Sequence, residues 1–353
     1  MARITRFIVK RWKLLLNITT VIALLITLYV IRNDLLATFR NLFQVHAWVL
    51  LLIIPLEALN YHAQTKLYQH LFRLIGNKFK YKELFIASLE LNFVNHVFPS
   101  GGAAGISYFG LRFKNGDISG GKATMIQIMK VFMTFFSFEV LIILSVILLA
   151  IGGKVNSFTM LVAGVIATLL IVITILFVYI VGKRERINSF LEFMTVQLNK
   201  FLGLFRKSPE DFINLPHARQ VFDDFHYTYK EIRKNNEQIR APLLYALLCN
   251  VTEIAVIYVV FMAFGYLVNP GAVILAYGVA NFAGMVSILP GGVGIYEALM
   301  AAVLLTTGIS GDLSLPVIIM YRVLNTLLQV PPGYYFYQQY ISRHGKPKQR
   351  LAL

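Results

Sequence analysis

Apolar residues along this chain run in stretches long enough to cross the hydrocarbon core of a bilayer, which takes about 20 helical residues. Leu14 to Ile31 is the first such stretch. Ala47 to Gln69, Gly121 to Ile151, Phe158 to Val181, Pro242 to Tyr266 and Leu313 to Ile341 follow. Two more apolar stretches, Lys82 to Phe113 and Gly271 to Thr307, are each interrupted midway. The pattern changes between Gly182 and Ala241, where Ile187, Phe190, Leu191, Met194 and Leu198, and later Phe222, Phe225, Tyr229 and Ile232, recur at helical spacing. Such apolar faces with basic flanks suit amphipathic helices in the membrane interface, or packed on the cytoplasmic face of the protein. The fold expected is an all-α polytopic membrane protein of about six full spans plus two broken hairpins.

The two interruptions have matching composition. The first is Asn92-Phe93-Val94-Asn95-His96-Val97-Phe98-Pro99-Ser100-Gly101-Gly102-Ala103-Ala104-Gly105. The second is Asn281-Phe282-Ala283-Gly284-Met285-Val286-Ser287-Ile288-Leu289-Pro290-Gly291-Gly292-Val293-Gly294. Proline removes a backbone donor and clashes with the preceding turn, while glycine lets the chain leave helical geometry. In lipid, such a break leaves N–H and C=O groups that only protein or a water-filled cavity can satisfy. One break alone would read as a tight turn between short helices. Two with matching flanks point to a shared site, with Asn95, Pro99, Gly101, Gly102, Pro290, Gly291 and Gly292 at its centre.

Composition narrows the class. The 353 residues are 57% hydrophobic and 14% charged, against roughly 25% charged in soluble domains. The net charge of +16 raises the question of nucleic acid, but its distribution answers to the positive-inside rule instead. Arg3, Arg6, Lys10, Arg11 and Lys13 precede the first stretch, and Arg343, Lys346, Lys348 and Arg350 follow the last. Both termini are therefore expected in the cytoplasm of a multi-pass cell-membrane protein. Reading Lys82 to Phe113 as a hairpin that dips in and returns keeps Arg112, Lys114 and Lys122 on the cytoplasmic side. Of the 33 Lys and Arg, only Arg32, Arg40 and Lys154 then lie outside, with Lys66, Lys130 and Arg322 within spans. This layout puts the two hairpins on opposite sides of the membrane, as an inverted repeat would. A single membrane domain, 1–353, is expected, with repeat halves 47–151 and 242–341 around the amphipathic segment 182–241. The lone cysteine, Cys249, excludes an intramolecular disulfide.

Polar residues inside the spans carry the candidate chemistry, since ionisable groups at membrane depth usually face a bundle interior or cavity. Glu57, Asn60 and Gln64 form one stripe, and Asn250 and Glu253 another. Gln127, Lys130, Thr134 and Ser137 follow the first hairpin, and Arg322, Asn325 and Gln329 follow the second, all at helical spacing. Two cations from paired positions, Lys130 and Arg322, could hold a phosphate, with Asn325 beside them. Glu57, Glu253 and His96 could carry protons or ions. The alternative is that Glu57, Glu253, Lys130 and Arg322 pair with one another to hold the bundle. Glu139 belongs to the other face of its helix. No Ser-His-Asp arrangement, metal-ligand spacing or G-x-x-x-x-G-K-[ST] stretch occurs, so neither autonomous catalysis nor a cofactor or metal is expected.

Leu289-Pro290-Gly291-Gly292-Val293-Gly294-Ile295-Tyr296-Glu297-Ala298 resembles the Pro-Gly-Gly-x-Gly-x-x-Glu-Ala motif of the lysylphosphatidylglycerol synthase transmembrane-region, or flippase-like, family. Tyr321-Arg322 with Pro331-Pro332-Gly333 is similar to that family's last helix, and Asn95, Pro99, Ser100 and Gly105 to its N-terminal signature. The resemblance runs from about Leu14 to Ile341 and adds Glu297 to the candidate site. Many members carry an acid and an arginine soon after the first break; here Arg112 stands nearest to that arginine, without the acid. The full synthases continue into a soluble aminoacyl-transferase domain, whereas the residues after Ile341 are too few for a catalytic core, so a stand-alone membrane domain is expected. The resemblance implies lipid handling: a flippase-like translocase moving an anionic or aminoacylated phospholipid between leaflets, with membrane lipids as its partners. A second implied function is the membrane subunit of a lipid-modifying transferase, such as a phosphatidylglycerol lysyltransferase, with catalysis on another chain.

Overall fold

The computed structural model describes residues 29, 32–42, 45–98, 103–113, 118–152, 157–183, a few positions between 185 and 193, 236–286 and 292–344. The expected first span, most of the amphipathic segment, and Pro99, Gly101, Gly102, Pro290 and Gly291 lie outside the described residues. The described helices are α1 (Arg32–Leu42), α2 (Ile53–Leu74), α3 (Tyr81–Val97), α4 (Ala103–Phe113), α5 (Gly120–Ile151), α6 (Ser157–Val181), α7 (Asn236–Ala263), α8 (Pro270–Val286), α9 (Ile295–Thr306) and α10 (Gly311–His344). Among the described residues three helical segments, Gly120–Ile151, Gln238–Ala263 and Gly311–Arg343, are long and apolar enough to cross a membrane. At 1.5 Å per residue, each exceeds the roughly 30 Å hydrocarbon thickness. α2 is long enough but carries Glu57, Lys66 and Arg73, so its apolar signal is diluted.

Each sequence interruption folds the chain back on itself. In the first hairpin α3 and α4 pack together, and Glu90 accepts from both Tyr108 Oη at 2.9 Å and Arg112 Nε at 2.7 Å. In the second, α8 and α9 pack together, with Gly292 against the Gly284 backbone and the Asn281 amide reaching Tyr296. Gly292 adopts φ +69°, a left-handed turn that a side chain would resist. The first arms are 17 residues each, and the returning arms 11 and 12. A helix of about 17 residues spans roughly 25 Å and one of about 11 only 17 Å, so the returning arms are too short to cross a bilayer alone.

The long helices arrange their residues in three layers. One apolar core gathers α8 and α9 with Ile53 of α2, Phe138 to Leu149 of α5, Ile254 to Ala263 of α7 and Val317 to Tyr321 of α10. A second gathers α3 and α4 with Leu67 to Leu74 of α2, Ala123 to Met133 of α5, Ala246 of α7 and Tyr337 and Ile341 of α10. Each long helix thus passes from one core to the other, and each hairpin sits in one of them. The polar stripes lie between: Glu57 to Gln64, Thr134 and Ser137, Asn250 to Glu253, and Arg322 to Gln329. Each hairpin packs on a long helix from the other part of the chain, α3 against α10 and α8 against α5, while α2 packs along α7. Gly333 permits the first of these contacts, because a Cβ there would lie 2.5 Å from the Leu89 carbonyl oxygen.

Candidate functional site

Hydrogen bonds join the polar stripes across helices. Asn60 Nδ2 donates to the Cys249 carbonyl at 2.9 Å and to Thr252 Oγ1 at 2.8 Å, linking α2 to α7. Asn250 Nδ2 donates to Ser137 Oγ and to the Thr134 carbonyl, linking α7 to α5. The Gln329 amide donates to Glu57 Oε2 at 3.2 Å and to Asn325 Oδ1, while Asn325 Nδ2 donates to Glu253 Oε2 at 3.2 Å. Tyr321 Oη donates to the same Glu253 oxygen at 3.1 Å. Buried polar groups in an apolar bundle need such partners, and the network fixes the rotation of α2, α7 and α10.

Between the two hairpins this network opens into a cavity of about 250 Å³. The first hairpin contributes Asn92, Asn95 and His96; the second contributes Tyr277, Asn281, Gly284 and Tyr296. The remaining wall is Gln64, Glu253 and, from α10, Tyr321, Arg322, Asn325, Thr326 and Gln329. Of the residues expected from the sequence, Asn95, His96, Glu253, Arg322 and Asn325 line this cavity. Glu57 stands one hydrogen bond behind it, through Gln329. Gly292 is buried at the turn of the second hairpin.

Arg322 places its guanidinium 4.6 Å from the Tyr296 ring centre, and its Nε lies 3.0 Å from Glu297 Oε1. The other oxygen of Glu297 accepts from Gly294 N–H at 2.6 Å, satisfying a free donor at the start of α9. Glu297 therefore ties the hairpin turn to the cavity's cation. Lys130 does not line the cavity; its ammonium lies 5.9 Å from the Tyr68 ring centre. The ion pair at Arg322 thus differs from the pairing with Glu57 or Glu253 that the sequence suggested. Glu139 accepts from Thr174 Oγ1 on α6, on the opposite face of α5.

Sequence reasoning passed over the aromatic wall of Tyr277, Tyr296 and Tyr321, and over Asn92 and Asn281 as lining residues. A signal was present: Asn92-Phe93 and Asn281-Phe282 occupy the same place in the two matching stretches. It also passed over Glu90, which is 1% exposed and supplies the acid for Arg112 from the opposite arm of the hairpin. Tyr340 of α10 stacks on that guanidinium at 4.5 Å and donates to the last carbonyls of α4, so the pair also anchors the hairpin to α10.

Residues 14–333 match the family model described as the lysylphosphatidylglycerol synthase TM region. The chain is also similar to a UPF0104 membrane protein of Methanothermobacter thermautotrophicus, 27% identical over 167 residues that cover 45% of this chain and 46% of that relative. The similarity thus spans less than half the length of that protein. Because the family match runs through both hairpins and the cavity they close, this multi-pass membrane protein belongs to the lysylphosphatidylglycerol synthase transmembrane-region family.

Proposed function

We propose that the protein is a lipid translocase that moves an anionic or aminoacylated phospholipid between leaflets by passing its headgroup through the cavity between the hairpins. The observation that carries this is Arg322 in the wall of a polar cavity lined by residues of both hairpins. A guanidinium presents planar paired donors to a phosphate. At roughly 30 Å³ per water the cavity has room for about eight waters, enough for a phosphate with its nearest groups but not for acyl chains, which would stay in the bilayer. With one hairpin in each apolar core, an inverted repeat whose hairpins enter from opposite faces would open the cavity to each leaflet in turn. Lys130 serves the bundle in this reading, and the phosphate is held by Arg322.

The test is a leaflet assay in proteoliposomes with anionic, aminoacylated and polyprenyl lipids in parallel. Movement above protein-free vesicles is expected for at least one headgroup class, reduced about tenfold or more by Arg322→Gln, since a charged hydrogen bond contributes roughly 1.5–3 kcal/mol. Equal rates with and without protein across the panel would sink the proposal. The description of the matched family supports a second reading, a membrane subunit for a lipid-modifying transferase carried on another chain. That reading expects lipid movement, or lipid binding alone, to couple to the modifying activity only when the transferase is added.

A further inference from the structure

On the inner face of α2 the amide orientations follow from one another. Asn60 Nδ2 donates to the Cys249 carbonyl, which can only accept, so Asn60 Oδ1 must face back along α2. There it accepts from Gln64 Nε2 at 2.6 Å. Gln64 Oε1 is left as an acceptor with no donor, although Gln64 is 6% exposed. Glu57 repeats the pattern seven residues earlier on the same face. Its Oε2 takes the Gln329 amide, while Oε1 is buried and without a donor, in a residue 5% exposed. Gln64 shares the cavity wall with Glu253, the second buried carboxylate of this layer.

Buried oxygens that can only accept are costly without a positive partner. The charged side chains around them are otherwise engaged. Arg322 is bound to Glu297 through Nε, and Lys130, within electrostatic reach of Glu253, lies over Tyr68. His96 directs Nδ1 to the Asn92 carbonyl, the Cys249 thiol is buried on α7, and the buried Tyr61 hydroxyl, four residues after Glu57, is a neutral group that carries no positive charge to it. Among the described residues no group of three or more His, Cys, Asp or Glu could hold a metal. Calcium takes six to eight oxygens, more than the two carboxylates and one amide oxygen here supply.

We infer that Glu57, Gln64 and Glu253 form a site for one small monovalent cation, sodium or a proton, beside the cavity. Occupancy would act on the cavity through Gln329 and Asn325, whose hydrogen bonds run between the two carboxylates and whose side chains line its wall. Its coupling to lipid movement rests on the proposed translocase function; the binding itself does not.

The experiment therefore reads binding without lipid transport. The Tm of the purified full chain in detergent is measured with sodium, lithium, potassium or choline chloride at constant ionic strength, and from mildly acidic to mildly alkaline buffer. Sodium binding is expected to raise Tm by a few degrees in a saturable, ion-selective way. A proton site would instead give a pH-dependent Tm indifferent to the salt cation. Either response should vanish in Glu57→Gln. If that variant does not fold, the ion order in the unaltered protein still decides. A Tm that ignores both ion identity and pH, or one that responds identically in Glu57→Gln, overturns the proposal and leaves a polar pocket filled by water.

Discussion

Arg322 and Glu297 are partly buried, with side chains 21% and 16% exposed, and each has a second contact, Arg322 with the Tyr296 ring and Glu297 with Gly294 N–H. Removing the cation leaves Glu297 with only its bond from Gly294, so Arg322→Gln is expected to lower stability by about 1–3 kcal/mol. Because a glutamine at 297 can still accept from Gly294 N–H, adding Glu297→Gln should recover most of that loss, whereas neutralising Glu57 or Glu253 should not. Melting of the single and double variants in detergent checks this. Rescue by Glu57→Gln rather than Glu297→Gln would show that the cation is paired differently. Arg322→Lys is expected to keep stability better than lipid affinity, since an ammonium cannot reproduce the planar donor pair. Asn60 is a second residue whose role is specific: it bonds two partners on α7 and one on α2, so Asn60→Ala should cost about 1–3 kcal/mol in the same measurement.

At the scale of elements, the hairpins depend on small residues where backbones meet. A Cβ at Gly333 would lie 2.5 Å from Leu89 O and 2.6 Å from Phe93 Cβ, both on α3. The first of these is backbone and cannot rotate away. Gly333→Ala should therefore push α10 from α3 at a cost of roughly 1–3 kcal/mol, the usual penalty for overpacking. It should also disturb the cavity, because the tip of α3 and α10 both line it. A variant with unchanged melting and unchanged lipid movement would refute this account of the contact. The second hairpin depends on the turn at Gly292, where Ala would meet both a positive φ and the Gly284 Cα at 3.1 Å. Gly292→Ala is expected to insert into membranes normally while lipid movement falls, the outcome to follow in the leaflet assay.

At the scale of the whole molecule, two apolar cores with a polar layer between them explain how a helical bundle keeps carboxylates and amides at its centre. The α2–α3 turn belongs to one end of the bundle and the α7–α8 turn to the other, as the core memberships of their helices require. On the positive-inside expectation that the basic segments face the cytoplasm, a cysteine at Lys78 in a Cys249→Ser background should react with impermeant reagent only from the cytoplasmic side. One at Leu267, which is 79% exposed, should react only from outside. Labelling of both from the same side would end the inverted-repeat topology and, with it, alternating access to the cavity.

The described helices and polar stripes were legible in the sequence because each depends on neighbours within about one or two turns. Three- and four-residue spacing puts Glu57, Asn60 and Gln64 on one face whatever that face meets, and runs such as Pro-Ser-Gly-Gly and Pro-Gly-Gly disfavour a continuous helix in any surroundings. Partnership was not legible in this way. Asn60 meets Cys249 across 189 residues of chain, and Gln329 meets Glu57 across 272. Which stripe faces which is set by the rotation and crossing of packed helices, a property of both apolar cores together. For that reason the pairing of Arg322 with Glu297, the Glu90 partner of Arg112 and the place of Lys130 over Tyr68 were decided by the tertiary structure alone.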